Sequence, residues 1–585
     1  MKKGFLILAF ISVFNVFSQK KTTEKVKDTV KTEVVEVVTT YNPKIADANK
    51  ISTNPSINLL EKTKKQPLKY TIFSVPVAST FIPKSGVIKG IDVGVKERIY
   101  DNFLAAGFGN YTSPYFETFL HKNTRFQSEF GLSAKYNASF DNIENTVLNS
   151  DFSNLGMSIF YKQDERYFDW KVTINSERNH YNWYGIDQNF INNATTRFIN
   201  ERQEYNFFNA TGEMDFLDAY VDKSNLSISY FNDDFNSEEI LIGLNTDLDI
   251  PTRFLRENVK IGTKLEYLNG SFASNYAITD VLNYNIFTIK IAPEYNTTYK
   301  DFTIKLGAKI FTSFDAENSV TNFLVYPDVK VQKALLKENL QFFGGISGNL
   351  KTNTYKDFVD DNPFVSPTMF ITQTAERFNA FVGFNGVLNN SISYTISASF
   401  KNEQDKPLFI KNNSKSDGTT TSSNGIVLRG YEYGNSFGVV YDDVKTTSIF
   451  AELNYEFSKR LNFETHIQFD NYTTTNQNEA WNLPAIQANF MAKYKNEKWY
   501  ATSTLLFVGN RKDVLYTNVF PSTTSTTQSI PSFLDLNLNG GYHLNDKFTV
   551  FLKMNNMLNS NYQRFSNFEV QGFQLLAGVT YKFDF

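Results

Sequence analysis

The chain has 585 residues, a formal net charge of −3 and no cysteine. The net charge is close to neutral, and the sequence has no basic stripe of the kind that binds nucleic acid. The lack of cysteine excludes disulfides, thiol chemistry and lipidation at a cysteine. With 56 Phe and 32 Tyr and a mean hydropathy of −0.35, the composition excludes a bundle of membrane helices. It suits strands that have one apolar face.

The amino terminus predicts a signal peptide over residues 1–18. Lys2 and Lys3 precede an apolar run from Gly4 to Phe17, and Ser18 then provides a small residue before a polar stretch. This order of charged, apolar and small residues is that of a secretory signal peptide. A short membrane anchor is the alternative, but the apolar run is too short to span a bilayer.

Residues 19–98 differ in composition from the rest and predict an irregular periplasmic or lumenal segment. Charges of both signs are mixed between Lys20 and Val38, which is typical of a solvated tether. Repeated prolines between Pro43 and Pro83 interrupt any long regular element.

Residues 99–585 predict an all-β fold, a large antiparallel transmembrane β-barrel. Segments of about ten residues alternate between apolar and polar side chains, as transmembrane strands do. Short turns and long polar loops follow one another in order, which matches the short periplasmic turns and long external loops of bacterial barrels. The long loops are predicted at Asn179–Arg202, Lys351–Thr374, Asn402–Gly434, Thr473–Asn482 and Gly509–Pro531.

The order of turns and loops also predicts the number of strands. With a periplasmic amino terminus, the first strand runs outward and the last runs inward, so the number is even. The stretch Glu238–Leu268 supplies either none or two, and we expect two because Asn258–Leu268 alternates well. The total is about 22 strands, although 20 or 24 also fit if the element boundaries shift.

Residues 573–585 alternate throughout and predict the closing strand of the barrel. One face carries apolar and aromatic side chains, and the other is mostly polar. We interpret the apolar face as a carboxy-terminal β-signal with aromatics at the boundary between lipid and water. Outer-membrane lipid and the barrel-assembly machinery are the partners that this predicts. The β-signal residues are Phe573, Leu575, Val579, Tyr581, Phe583 and Phe585.

The last strands resemble those of TonB-dependent outer-membrane receptors. The resemblance is carried by the alternating segment Phe533–Asn539, by Asn555–Asn559 with the sequence Asn-Asn-Met-Leu-Asn, by Tyr562, and by the closing Tyr581-Lys582-Phe583. It implies a 22-strand barrel in the cell outer membrane that binds or passes a solute. The plug domain of that family is larger than residues 19–98 can form, so the resemblance implies an absent or reduced plug.

The same resemblance singles out a short segment as a TonB box, the extended segment that pairs with TonB by strand addition. A β-prone tether without a partner is the alternative. The TonB-box-like residues are Glu33, Val34, Val35, Glu36, Val37 and Val38.

A lumen enclosed by 22 strands must be filled if it is not to leak. Residues 19–98, long loops that fold inward, or a separate protein could fill it. We predict that residues 43–98 lie at least partly inside the barrel.

The sequence predicts no enzyme, no cofactor and no metal site. Its histidines have no metal-binding spacing; they are His121, His180, His466 and His543. Asp357, Asp360 and Asp361 offer oxygen ligands for Ca²⁺. Because they lack an ordered ligand pattern, we interpret them as a solvated acidic loop.

A second loop offers side chains that could bind a ligand. Loop Asn402–Gly434 has a polar tip and is followed by aromatics that could stack on sugars or peptides, Tyr431, Tyr433 and Phe437. We interpret it instead as a flexible loop beside an interfacial aromatic girdle.

The sequence therefore favours an outer-membrane receptor or transporter for an unidentified solute. The alternative is a scaffold barrel in a larger outer-membrane complex, with residues 19–98 as a docking arm. A lipid or hydrocarbon channel is disfavoured, because Asp535, Asn537 and Lys582 make the inward face polar.

Overall fold

The computed structural model describes residues 100–585, except 125–126, 218, 254, 278–279, 390 and 424. The predicted signal peptide 1–18, the TonB-box-like residues Glu33–Val38 and the predicted lumenal residues 43–98 lie outside the described residues. Within the described residues, no helix has the length and apolarity needed to cross a membrane.

The described residues form 28 strands, and 22 of these make one closed antiparallel sheet, in which the first strand also pairs with the last. In chain order the strands are β1 (Asn102–Gly109), β2 (Ser113–Asn123), β3 (Ser128–Ser139), β4 (Phe152–Asp164), β5 (Phe168–Asn182), β6 (Arg202–Phe216), β7 (Val221–Asp233), β8 (Glu238–Ile250), β9 (Val259–Phe272), β10 (Leu282–Tyr299), β11 (Phe302–Asp315), β12 (Val320–Leu336), β13 (Leu340–Thr352), β14 (Gln373–Leu388), β15 (Ile392–Lys411), β16 (Ser422–Ser423), β17 (Ile426–Val427), β18 (Phe437–Ser458), β19 (Leu461–Thr474), β20 (Ile486–Lys495), β21 (Trp499–Val508), β22 (Arg511–Tyr516), β23 (Ser525–Ile530), β24 (Phe533–His543), β25 (Phe548–Asn555), β26 (Gln563–Phe565), β27 (Phe568–Glu569) and β28 (Gln574–Phe583).

Three short hairpins, β16–β17, β22–β23 and β26–β27, stand in loops outside this sheet. Two short helices, Asn193–Thr196 and Tyr355–Asp361, also lie in loops. The predicted barrel of about 22 strands is confirmed, and the ambiguous stretch Glu238–Leu268 does supply two strands, β8 and β9.

The barrel wall turns its apolar side chains outward at every second residue. In β4, Leu155, Met157 and Ile159 are 37%, 43% and 38% exposed, while Gly156 and Ser158 between them face the lumen side. A wall in water would bury such side chains, whereas a wall in lipid exposes them to the acyl chains. The wall is therefore of the outer-membrane type.

Short and long connections alternate over most of the chain, which defines a short-turn end and a long-loop end. The β1–β2, β7–β8 and β11–β12 connections at the long-loop end are also short. At the short-turn end, the turns at Lys300 and Lys337 reverse the chain with φ values of 54° and 47°. The long-loop end carries all three hairpins and both short helices. The predicted alternation of turns and loops is thus confirmed.

The loop predicted at Asn402–Gly434 begins too early, because β15 continues to Lys411. Its ladder with β18 passes a register shift between Glu403 and Lys406, where Asp405 has φ 53°. Polar residues suit this part of the strand because it belongs to the long-loop end, beyond the alternating apolar stretch. The alternation of apolar and polar residues that marks the lipid-facing wall therefore does not reveal this last part of β15.

The barrel closes where β1 pairs with β28. A Cβ atom on Gly578 would lie 2.3 Å from Cζ of Phe551 and 2.4 Å from the carbonyl oxygen of Ala106, so glycine makes room for this ring at the seam. The predicted β-signal residues lie on or beside β28: Leu575 and Val579 are exposed on the wall, and Tyr581 packs against Phe548 with ring centroids 4.8 Å apart. Their role as an insertion signal stays a prediction.

Candidate functional site

Long connections from around the barrel rim pack against one another across its mouth. We call this structure the loop cap. It consists of residues 183–201, 273–281, 353–372, 412–436, 509–532 and 556–573, within the described residues. The connections leave the rim between β5 and β6, β9 and β10, β13 and β14, β15 and β18, β21 and β24, and β25 and β28.

An aromatic core holds loops from distant strands together. Phe568, after β26, stacks on Phe364 with ring centroids 3.8 Å apart and meets the ring of Tyr184 at 5.0 Å. Phe565 meets Phe437 at 5.2 Å. Apart from Phe437, the first residue of β18, these residues belong to connections from different parts of the rim, so their contacts cross the mouth. Buried aromatics of this size dominate the packing energy of a core.

Polar contacts fix the same loops in place. The indole Nε1 of Trp183 donates to the carbonyl oxygen of Phe364 at 3.2 Å. Asn435 donates from Nδ2 to the carbonyl oxygens of Trp183 at 2.6 Å and Gly430 at 2.8 Å. Tyr276 donates to the carbonyl oxygen of Asn413 at 2.6 Å. Satisfied polar groups in a buried setting favour one arrangement of the loops.

The interpretation of Tyr431, Tyr433 and Phe437 as a flexible loop and an interfacial girdle is wrong. Their side chains are 0%, 2% and 0% exposed and form part of the cap core. The chain turns at Gly434, with φ 71°, and Ser436 donates from Oγ to the carbonyl oxygen of Tyr431 at 2.7 Å. These contacts fold the loop back onto the cap.

The short helix Tyr355–Asp361 is tied to β7 and β8 by two buried carboxylates. The backbone N–H of Tyr355 donates to Oε2 of Glu239 at 2.7 Å, and its phenol donates to Oδ2 of Asp233 at 2.8 Å. Tyr284 donates to the same Glu239 oxygen at 2.9 Å. Sequence reasoning missed both carboxylates, because nothing near them in the chain signals a partner more than a hundred residues away.

The acidic residues weighed as calcium ligands lie in or beside this helix. Lys356 pairs with Asp360 at 2.7 Å and with Glu177 at 3.2 Å, while the backbone N–H of Asp357 donates to Thr354, the residue that caps the helix. Across the described part of the chain, no group of three or more acidic, histidine or cysteine side chains is placed to hold a metal ion.

The four histidines also lie apart from one another in the fold. His121, His466 and His543 belong to the wall strands β2, β19 and β24. His180 pairs with Asp151 at 3.2 Å near the cap, and this hydrogen bond holds the pKa of the Asp151 carboxyl below its usual range.

The cap hairpin β22–β23 contains a buried acid, Asp513. Its Oδ1 accepts from the backbone N–H groups of Val514 at 2.8 Å and Lys411 at 3.1 Å. Burial outweighs these hydrogen bonds and raises the pKa of Asp513 to about 6.

A cavity of about 290 Å³ lies where the cap meets the wall. Its lining combines aromatic rings with charged and amide side chains, a combination that suits the binding of a small molecule. Phe152 and Tyr181 stack on its wall side with ring centroids 6.5 Å apart, and Phe364 and Phe568 line it from the cap. The lining residues that carry charge are Asp151, Asp360 and Arg564.

The lumen side of the wall is charged as well as polar. Lys305 pairs with Glu294 at 2.6 Å and with Asp328 at 3.2 Å. A cavity of about 600 Å³ is lined by these side chains and by Lys290 and Lys309. A charged inner face beneath an apolar outer face suits a hydrophilic solute and disfavours the lipid channel.

No protein-family model and no curated protein sequence matches this chain. Solved structures do match its fold. The pyoverdine outer membrane receptor FpvA from Pseudomonas aeruginosa PAO1, bound to pyoverdine, is 12% identical, with a TM-score of 0.60 and coverage of 84% of this chain and 79% of that one.

Two further structures give the same result. The FrpB iron transporter from Neisseria meningitidis (F5-1 variant) is 11% identical, with a TM-score of 0.60 and coverage of 84% and 83%. The siderophore receptor PirA from Acinetobacter baumannii is 11% identical, with a TM-score of 0.59 and coverage of 82% and 80%. At these identities the likeness shows the barrel fold, which these named receptors and a transporter share with this chain.

Proposed function

We propose that this chain is an outer-membrane barrel that serves as a receptor or transporter for a small hydrophilic solute, with its long-loop end at the cell surface. The observation that carries this proposal is a lipid-type wall around a charged lumen, as at Lys305, Glu294 and Asp328. The named receptors and the transporter with the same fold support it. The role is binding and passage, not catalysis.

TonB is the proposed periplasmic partner, through the TonB-box-like residues Glu33–Val38. An extended, valine-rich segment can add as a strand to the edge of a partner sheet. Cysteine placed at Val35 and at the partner strand of TonB should give a disulfide-linked product in intact cells. Cysteine placed at Thr23, in the same tether, is the matched control and should give none.

The location is tested by cell fractionation. The chain should be recovered with the outer membrane and require detergent for extraction, since its wall exposes apolar side chains. Recovery as a water-soluble protein after export would contradict the proposal.

A scaffold role is the second candidate, and the loop cap is the observation that favours it. A cap with its own buried core offers a fixed surface, such as partner proteins use. Purification in mild detergent separates the two roles. A stoichiometric partner that stays bound without solute favours the scaffold, whereas a crosslink from Val35 to TonB favours the receptor.

A further inference from the structure

The cavity between the loop cap and the wall contains a cation whose donors are largely unused. Arg564 lines this cavity, and within the described residues its guanidinium makes one long hydrogen bond, from Nη2 to the carbonyl oxygen of Asp361 at 3.4 Å. Its Cζ lies 5.9 Å from the ring centroid of Phe565. A guanidinium has five N–H donors in a planar fork, so most of them can still bind a ligand.

The acids in the same cavity already have partners. Asp151 pairs with His180 at 3.2 Å and accepts from Nδ2 of Asn182 at 2.8 Å. Asp360 pairs with Lys356 at 2.7 Å. Asp361, whose backbone carbonyl accepts from Arg564, does not line the cavity. Arg564, whose side chain is exposed, is therefore the one charged lining residue of this cavity without a side-chain ion-pair partner among the described residues.

The rings around this charge form two apolar sides. Phe152 and Tyr181 stack at an interplanar angle of 18° on the wall side. Tyr184 and Phe568 meet edge to face on the cap side. The hydroxyl of Tyr184 already donates to the carbonyl oxygen of Glu569 at 2.7 Å, so this residue presents its ring to the cavity. Such sides suit a flat apolar group.

We propose that this cavity binds a small organic carboxylate with a flat apolar body. The carboxylate accepts a forked pair of hydrogen bonds from Arg564, and the body lies between the wall rings and the cap rings. Bidentate pairing of this kind is what distinguishes arginine from lysine as a carboxylate binder. A cavity of about 290 Å³ suits a ligand with one aromatic ring. The inference rests on the proposed receptor function and specifies the class of its solute.

Calorimetry on the full chain in detergent tests this inference, with phenylacetate and its neutral isostere phenylacetamide as probes. Phenylacetate should bind at least about tenfold more tightly than the amide, because only the carboxylate accepts charged, forked hydrogen bonds from the guanidinium. Arg564→Gln should abolish that preference while leaving the weak binding of the amide unchanged. Arg564→Lys should retain only part of the preference, because lysine lacks the fork.

The matched control is Arg377→Gln. Arg377 lies on β14, where its guanidinium donates to Oε1 of Gln404 at 2.8 Å. It does not line the cavity. This variant should bind phenylacetate as the native chain does.

Three outcomes would overturn the inference: no binding of phenylacetate to the native chain, equal binding of acid and amide, or full preference in Arg564→Gln. The comparison of acid and amide on the native chain stands even if a variant fails to fold. Each result leaves the membrane location and the TonB crosslink untouched, so failure here is distinct from failure of the receptor function.

Discussion

The barrel wall and the loop cap place apolar side chains in opposite ways. On the wall, Phe323 and Val325 of β12 are 69% and 56% exposed. In the cap, Phe568 and Tyr431 are 1% and 0% exposed. The wall is built for lipid and depends on its ladder of backbone hydrogen bonds, because apolar side chains gain little by leaving lipid. The cap is built for water and depends on burial. One chain thus contains a wall with a lipid-facing apolar surface and a cap with a buried apolar core.

The largest expected effect is a change in single-channel conductance, which shows which region of the chain closes the lumen. Deleting residues 43–98 should raise the single-channel conductance in planar bilayers severalfold, because a 22-strand wall encloses a lumen wide enough for water and ions. Conductance that does not rise would contradict the prediction that these residues fill the lumen. The deletion combined with Phe364→Ala and Phe568→Ala should conduct still more, since the cap would then also open.

The cap core should be the most sensitive place for a truncated side chain. Phe568→Ala removes a ring that stacks on Phe364 at 3.8 Å, and should destabilise the cap by about 3–5 kcal/mol. Limited proteolysis of the cap loops measures this loss while the barrel stays intact. Phe323→Ala, on the lipid face, is the matched control and should leave cap proteolysis unchanged. An equal rise in cap proteolysis in the two variants would contradict the distinction between the lipid-facing wall and the buried cap core.

A charged substitution in the wall should lower the stability of the barrel more on the lipid-facing side than on the lumen side. Ile228 of β7 is outward and 45% exposed, whereas the adjacent Ser227 faces inward and donates to the carbonyl oxygen of Gly243. Ile228→Arg should cost about 2–4 kcal/mol in lipid, measured by urea unfolding in vesicles. Ser227→Arg should cost clearly less, and an equal cost would contradict the assignment of faces.

The smallest expected effect is the pH dependence of the cap. The pKa of Asp513 is raised to about 6, so its protonated form is favoured in the folded cap. Its stabilising contribution is complete below the ordinary pKa near 4 and is lost as the pH rises through about 6.

The emission of Trp481, which packs in the same cluster as Val514, reports this change during urea titration. The measurement uses a chain in which Trp170 and Trp499 of the wall are replaced by Phe, while Trp183 is kept because it anchors the cap core. Asp513→Asn should reduce the slope of stability against pH between 4 and 7, leaving the part due to the buried carboxyl of Glu239. An unchanged slope would contradict the role of Asp513.

The wall could be predicted because its pattern is local. Alternation with a period of two gives each strand, and the order of short and long connections gives an even number of strands. Even the ambiguous stretch Glu238–Leu268 was resolved by the alternation of Asn258–Leu268. The start of the loop after β15 was wrong, because the strand continues through a bulge at Asp405 beyond the lipid-facing pattern.

The cap could not be predicted because its contacts join residues far apart in the chain. The hydrogen bond from Trp183 to Phe364 spans 181 positions, and that from Tyr184 to Glu569 spans 385. Loop aromatics such as Tyr431 look the same in a girdle as in a core until their neighbours are known. The position of Arg564 in a cavity likewise cannot be predicted from the sequence, because the cavity forms only where several loops meet.

The meeting of β1 with β28 also decides when this molecule can assemble. Asn102 donates from Nδ2 to the carbonyl oxygen of Phe583, 481 positions away, so the cylinder cannot shut before its last strand has been synthesised. Until then the two outermost strands present free edges on which other chains can aggregate. Once β28 pairs with β1, both edges are covered and the finished barrel no longer offers them to other chains.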